Sequence, residues 1–210
     1  MTIKTRSRIT RAMTARVDPA EFTELPLEAH ALLEGVPLQD VTAVDLPGGG
    51  TGRTISDVRA LIPLGGLMNA NPVTRSLFAL RFWLGRLFRW DSMEHDRAAT
   101  SFLPRVSEAL RARSLDAPGT MEGGFRILYL LEHESLSEIQ NATVHAFLCT
   151  ALREHPWGYR LYWGIYVKPI SRLTPLYMSL IEPFRRFVVY PVILVRIRRA
   201  WIARYRSGPV

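Results

Sequence analysis

At 210 residues, 48% apolar and with a formal net charge of +8, the chain has the length of one sizeable domain and the composition of a folded one, which excludes disorder over most of its length. Cys149 is the single cysteine, which excludes an internal disulfide and any zinc site built on several thiolates. The basic first residues lack the apolar core of a secretion signal, and the apolar run 187–195 is broken by Pro191 at about half a membrane span, so the expected location is the cytoplasm.

Residues 1–20 read as a basic tail and residues 21–206 as one α+β domain. "PLEAHALLEG" (26–35) predicts a short helix closed by Gly35, and "LQDVTAVDL" (38–46) a strand with Val41, Ala43 and Asp45 on one face. The stretch "DLPGGGTGRTISD" (45–57) has the outline of a phosphate-binding loop. A Walker loop needs four residues between its first glycine and the Gly-Lys pair, whereas Gly48 to Gly52 leaves three and the basic residue is Arg53. The stretch therefore reads as a strand-to-helix connection, with Thr54 and Asp57 forming a capping box for "ISDVRALI".

"NPVTRSLFALRFWLGRLFRW" (71–90) predicts a core helix with Leu77, Leu80, Leu84, Leu87 and Phe88 on one stripe, and "SFLPRVSEALRARS" (101–114) predicts another helix. "LDAPGTMEGG" then reads as a turn-rich connection. From here the period changes to two. "FRILYLLEHE" (125–134), "LSEIQNATVHAFLCTAL" (136–152) and "YRLYWGIYVKPI" (159–170) predict an antiparallel meander. Alternation puts Phe125, Ile127, Tyr129, Leu131 and His133 on one face, and Arg126, Leu128, Leu130, Glu132 and Glu134 on the other. Both faces are apolar mid-strand, so one packs on helices and the other under a further element or a partner chain. From Thr174, a good N-cap before Pro175, a long C-terminal helix follows, with kinks expected at Pro183 and Pro191.

Charge is concentrated at the ends. Residues 1–16 carry five basic residues and no acid, and residues 172–206 carry eight arginines against Glu182, so the ends hold +12 of a total of +8 and the body between them is −4. Such ends suit an anionic membrane surface, with Trp201 and Tyr205 as interfacial aromatics, although a helix packed on its own sheet accounts for the apolar part equally well. No recognition motif accompanies the charge, so nucleic acid is not an expected partner.

"SLFALRFWLGRLFRWD" (76–91), "FRILYLLEHESLSEI" (125–139) and "SRLTPLYMSLIEPFRRFVVYPVIL" (171–194) resemble a bacterial family of unknown function, DUF2867. Its members occur alone or fused behind a short-chain-dehydrogenase-like domain. The resemblance covers about residues 30–195 and implies membership of the START and Bet v 1-like group, which includes polyketide cyclases. It also implies a helix-grip fold, a curved antiparallel sheet packed against a long C-terminal helix with additional N-terminal helices. The chain departs from the family's Pro-Phe-His-Arg at Pro183 to Arg186, and from its acidic-x-His-Leu-Asp pattern at Asn141 to His145.

Within such a fold the candidate site residues follow. His145 lies mid-strand beside Phe147, on the same face as Asn141 and Thr143, and can exchange protons near neutral pH if that face lines a cavity. Glu132 and Glu134 share a strand face about 7 Å apart, a span used by paired carboxylates, while His133 points to the opposite face. Tyr129, Trp163, Tyr166 and Tyr177 offer apolar walls with polar tips, although aromatics at these spacings also serve as plain core. Cys149 and His145 stand about 13 Å apart on a strand, too far for a nucleophile and its base, so Cys149 reads as core. No metal site and no cofactor are implied. The expected function is binding of a hydrophobic small molecule in an internal cavity. The alternatives are a cofactor-free cyclase, isomerase or dehydratase acting on a polyketide-like or terpenoid substrate, and a non-catalytic partner module of a short-chain dehydrogenase; a homodimer is compatible with each.

Overall fold

A computed structural model describes residues 15–61, 101–140, 144–170, 178–179, 182 and 190–205. The expected tail before residue 15, the helix over 71–90 and the start of the C-terminal segment at Thr174 lie outside them, as does Pro183. The described elements are β1 (Ala15–Arg16), α1 (Pro19–Thr23), α2 (Glu28–Leu32), β2 (Leu38–Pro47) and α3 (Ile55–Leu61). They continue through a 3-10 turn (Leu103–Arg105), α4 (Glu108–Arg113), β3 (Met121–Glu122), β4 (Phe125–Leu130), β5 (Glu134–Gln140), β6 (Val144–His155), β7 (Gly158–Pro169) and α5 (Tyr190–Tyr205). The strands form one seven-stranded sheet in the order β1-β2-β7-β6-β5-β4-β3, antiparallel throughout. The fold is α+β, with a C-terminal helix against the sheet.

Local chemistry places the helices. Asp18 accepts from the Ala20 amide at 3.0 Å and Pro19 opens α1. Thr54 and Asp57 form one half of the expected capping box of α3, the Thr54 amide donating to the Asp57 carboxylate at 2.9 Å, while the Thr54 hydroxyl donates to the same carboxylate at 3.4 Å. The single helix expected over 101–114 is divided, because Val106 adopts an extended backbone and Ser107 starts a new helix, its hydroxyl accepting from the Leu110 amide at 3.2 Å.

The meander differs from the sequence expectation at two points. The stretch read as one strand over 136–152 is two, β5 and β6, paired so that Gln140 faces His145; residues 141–143 between them lie outside the described residues. In β4, Ile127 pairs with Ser137 while Tyr129 pairs with Leu136, so Leu128 is an extra residue in a β-bulge. The bulge breaks the alternation. Ile127 and Leu130 join one core cluster while Leu128 and Tyr129 join the other.

Each face of the sheet carries its own helical layer. On one face, Val41 and Ala43 of β2, Leu136, Phe147, Cys149, Tyr162 and Tyr166 pack with Phe22, Ala29, Phe102 and Leu110 from α1, α2, the 3-10 turn and α4. Gly164 permits this, because a Cβ there would sit 2.5 Å from the Phe22 ring. On the other face, Val44, Leu46, Leu148, Leu161 and Trp163 pack under Ile55 and Val58 of α3 and Tyr190, Leu194, Ile197 and Trp201 of α5. Those four α5 residues recur on one side of the helix, and burial of each aliphatic or aromatic side chain contributes about 1.5–3 kcal/mol. Pro191 lies in the described part of α5, next to its first described residue, Tyr190. Among the described residues no helix is long and apolar enough to cross a membrane.

Candidate functional site

The glycine-rich loop holds a helix. A Cβ on Gly49, whose φ is +100°, would lie 2.5 Å from the Trp201 ring, so the run of glycines lets the backbone approach that indole. The Trp201 indole N–H donates to the Pro47 carbonyl at 3.2 Å, and the Arg53 guanidinium donates to the Gly49 carbonyl at 2.7 Å while stacking over the Tyr205 ring at 4.3 Å. The Tyr205 hydroxyl donates in turn to Asp57 at 3.2 Å. These contacts dock the C-terminal helix on the strand-to-helix connection.

The face under α1, α2 and α4 carries five of the eight described candidate residues, Tyr129, Glu134, His145, Phe147 and Tyr166, packed or hydrogen-bonded in the core. Glu134 is 5% exposed; its carboxylate accepts from the Glu28 and Ala29 amides at 3.0 and 2.9 Å, the first turn of α2, and from the Tyr129 hydroxyl. Burial, with Cys149 and Glu134 nearby, pushes the Tyr129 phenol well above its ordinary value. Glu132 does not share a strand face with Glu134. Strand β4 ends at Leu130, Glu132 and His133 are exposed in the turn, and Glu134 begins β5 on the buried side. The Tyr166 hydroxyl meets His30 Nδ1 at 2.9 Å while His30 Nε2 meets the Phe22 carbonyl at 3.2 Å. A carbonyl only accepts, so Nε2 carries a proton. Cys149 is buried, its thiol pushed well up by desolvation.

His145 is 1% exposed, with the Phe102 and Phe147 rings 5.3 and 4.3 Å from its own. Its Nε2 lies 2.9 Å from Glu138, which also accepts from the Ser101 hydroxyl and, at 2.9 Å, from the Phe102 amide. Burial opposes charge on Glu138, but the hydrogen bonds from His145, Ser101 and Phe102 outweigh it and hold the carboxyl below its ordinary value. The sequence reading missed Glu138, whose signal was its two-residue spacing from the buried Leu136. Asn141, Thr143 and Tyr177 lie outside the described residues.

A cavity lies on the other face. Between α3, α5 and the sheet lies a cavity of about 50 Å³, lined among the described residues by Ile55, Val58, Ile127, Leu148, Trp163 and Ile197, and by Arg59, Glu122, Ser135, Ser137 and Thr150. Of the aromatics expected to line a pocket, Trp163 does so, while Tyr129, Phe147 and Tyr166 belong to the opposite core cluster. The polar floor was not anticipated. Thr150 pairs between Ser135 and Trp163, and Leu148 pairs with Ser137, so three hydroxyls and the indole share adjoining positions on this face. At its side, Arg59 donates to Asp116 at 2.8 Å and to Glu122. Burial works against the Arg59 charge, but the two carboxylates outweigh it and raise its pKa further. Among the described residues no group of three or more His, Cys, Asp or Glu side chains is arranged to hold a metal ion.

A family model described as "Protein of unknown function (DUF2867)" matches residues 32–192. The chain belongs to that family. The match spans the glycine-rich loop, α3 and the whole β4 to β7 meander, and so nearly all of the cavity lining. No curated protein and no solved structure matches the chain.

Proposed function

We propose that this protein is a small-molecule-binding domain of helix-grip type, related to the START and Bet v 1-like group, and that its ligand occupies the cavity beneath α3 and α5. The single observation that carries this reading is the chemistry of that cavity: apolar walls, an indole, and hydroxyls on the sheet floor, the mixture that holds and orients a largely apolar guest. The topology supports it, because the first long strand, β2, lies beside the last, β7, and α5 packs on the same face. At about 10–15 Å³ for one water, a volume of about 50 Å³ has room for roughly three to five waters, about a third of the ~150 Å³ of a cavity that takes benzene, so a ring-sized molecule enters with a small outward movement of α3 or α5. A polyketide-sized guest needs a larger one.

An acid–base enzyme would need a proton-transfer group at the ligand. His145 and Glu134 face the other way, Glu132 lies in an exposed turn, and Glu122, the carboxylate of the described lining, is ion-paired with Arg59, so the binding reading, which needs no such group, is preferred over the cyclase, isomerase or dehydratase. The test is titration of the full chain with neutral ring-sized probes, p-cresol and indole, followed by amide chemical shifts, alongside Ser137→Leu, which fills the cavity. The reading expects saturable binding that Ser137→Leu weakens at least tenfold with an unchanged circular dichroism spectrum. Absence of saturable binding, or equal binding by the filled variant, refutes it.

A further inference from the structure

The cavity's polar groups are unevenly divided between floor and rim, and the division selects a ligand class. On the floor, Ser135, Ser137 and Thr150 present hydroxyls, and none of the three has a side-chain hydrogen bond to another of the described residues. A hydroxyl both donates and accepts, so three together can serve a ketone, an alcohol or a phenol. Displacing water from such groups without replacing its hydrogen bonds loses affinity. The rim has the opposite character for an acid. Arg59, the cation of the described lining, is already held by both Asp116 and Glu122, so the cluster is net negative and offers a carboxylate no unpaired partner. A carboxylate entering the cavity would lose its hydration and meet like charge.

Resting on the binding site proposed above, we infer that the ligand is an uncharged molecule of about one ring, bearing one or two alcohol, phenol or ketone oxygens that the Ser135, Ser137 and Thr150 hydroxyls hold, and that the Arg59–Asp116–Glu122 cluster rejects its carboxylic acid analogues. The hydroxyls act as specificity determinants, and the apolar walls supply affinity without discriminating.

Three probes of similar size separate the terms: p-cresol, its methyl isostere p-xylene, and benzoate. They are titrated into the full chain, the isosteric triple variant Ser135→Ala, Ser137→Ala, Thr150→Val, and Glu122→Gln, with affinities from amide chemical shifts. The triple variant is expected to lose about five- to tenfold in p-cresol affinity, the size of one or two hydrogen bonds, while p-xylene binds as well or better, which also verifies that the cavity is intact. Benzoate is expected to bind the wild type at least tenfold more weakly than p-cresol, and Glu122→Gln to narrow that gap. An unchanged ratio of p-cresol to p-xylene affinity in the triple variant, or benzoate binding as tightly as p-cresol, overturns this inference and leaves the binding site standing. If neither neutral probe binds the wild type, both fall.

Discussion

Replacement of Glu134 by alanine separates a structural carboxylate from a chemical one. In the native protein this side chain is the acceptor for the Glu28 and Ala29 amides and the Tyr129 hydroxyl, joining the start of α2 to the sheet from 105 residues away in the case of Ala29. Truncation leaves a buried phenol and one buried amide without an acceptor, while the Glu28 amide is partly open to water. At about 1–1.5 kcal/mol for each lost bond, with the gain from no longer burying a charge set against the loss of packing, the net destabilisation is about 3 kcal/mol. For a chain of this size that lowers the melting temperature by about 6–12 °C. Glu134→Gln keeps one oxygen for the three donors and is expected to lose about half as much. Urea denaturation gives the free energy, and amide hydrogen exchange locates it, because Glu28 and Ala29 should exchange faster in both variants than in the wild type. A Glu134→Ala protein within about 0.5 kcal/mol of wild type, with unchanged exchange at those amides, would show that the hydrogen bonds carry no stability.

Two other perturbations test how the layers are held. Gly49→Ala places a methyl group against the Trp201 ring at a positive φ and is expected to cost about 2–4 kcal/mol and to expose Trp201, read as a red shift of its fluorescence; unaltered emission and stability would disprove the docking role of the loop. Hydrogen bonds from His145, Ser101 and Phe102 hold the Glu138 carboxyl below its ordinary value, so the stability it contributes is complete above the unfolded carboxylate range and is lost as pH falls through the folded pKa. Denaturant midpoints of wild type and Glu138→Gln, compared from pH 7 down to about pH 3, should converge at the acid end; a constant difference across that range contradicts the assignment.

The parts legible in the sequence were those set by local chemistry. The change from a helical to a two-residue period located the meander, Thr54 and Asp57 marked the start of α3, and the count of residues between Gly48 and Gly52 excluded a Walker loop. The illegible parts depend on register and on distant partners. Nothing around Leu128 signals the bulge that sends Ile127 and Tyr129 to opposite faces, and residues 141–143 lack the Gly or Pro that usually marks a reversal, so two strands read as one. Alternation sorts residues into two faces without saying which helix covers each. His145 was therefore assigned to a cavity face only conditionally; it is buried between Phe102 and Phe147 and is not among the residues lining the cavity beneath α3 and α5. Ser135, Ser137 and Thr150 were passed over because small polar residues in a strand look like solvent-facing positions until α3 and α5 cover them. Glu134 was read as chemistry because its partners, Glu28 and Ala29, lie a hundred residues earlier in the chain.

The central claim is that the ligand sits on the α5 side of the sheet, and amide chemical-shift mapping with p-cresol tests it most directly. The largest shifts are expected at Ile55, Val58, Ile127, Thr150 and Trp163, with His145, Phe147 and Tyr166 little affected. Shifts centred instead on His145 and its neighbours, or scattered over the surface without saturating, would contradict the account.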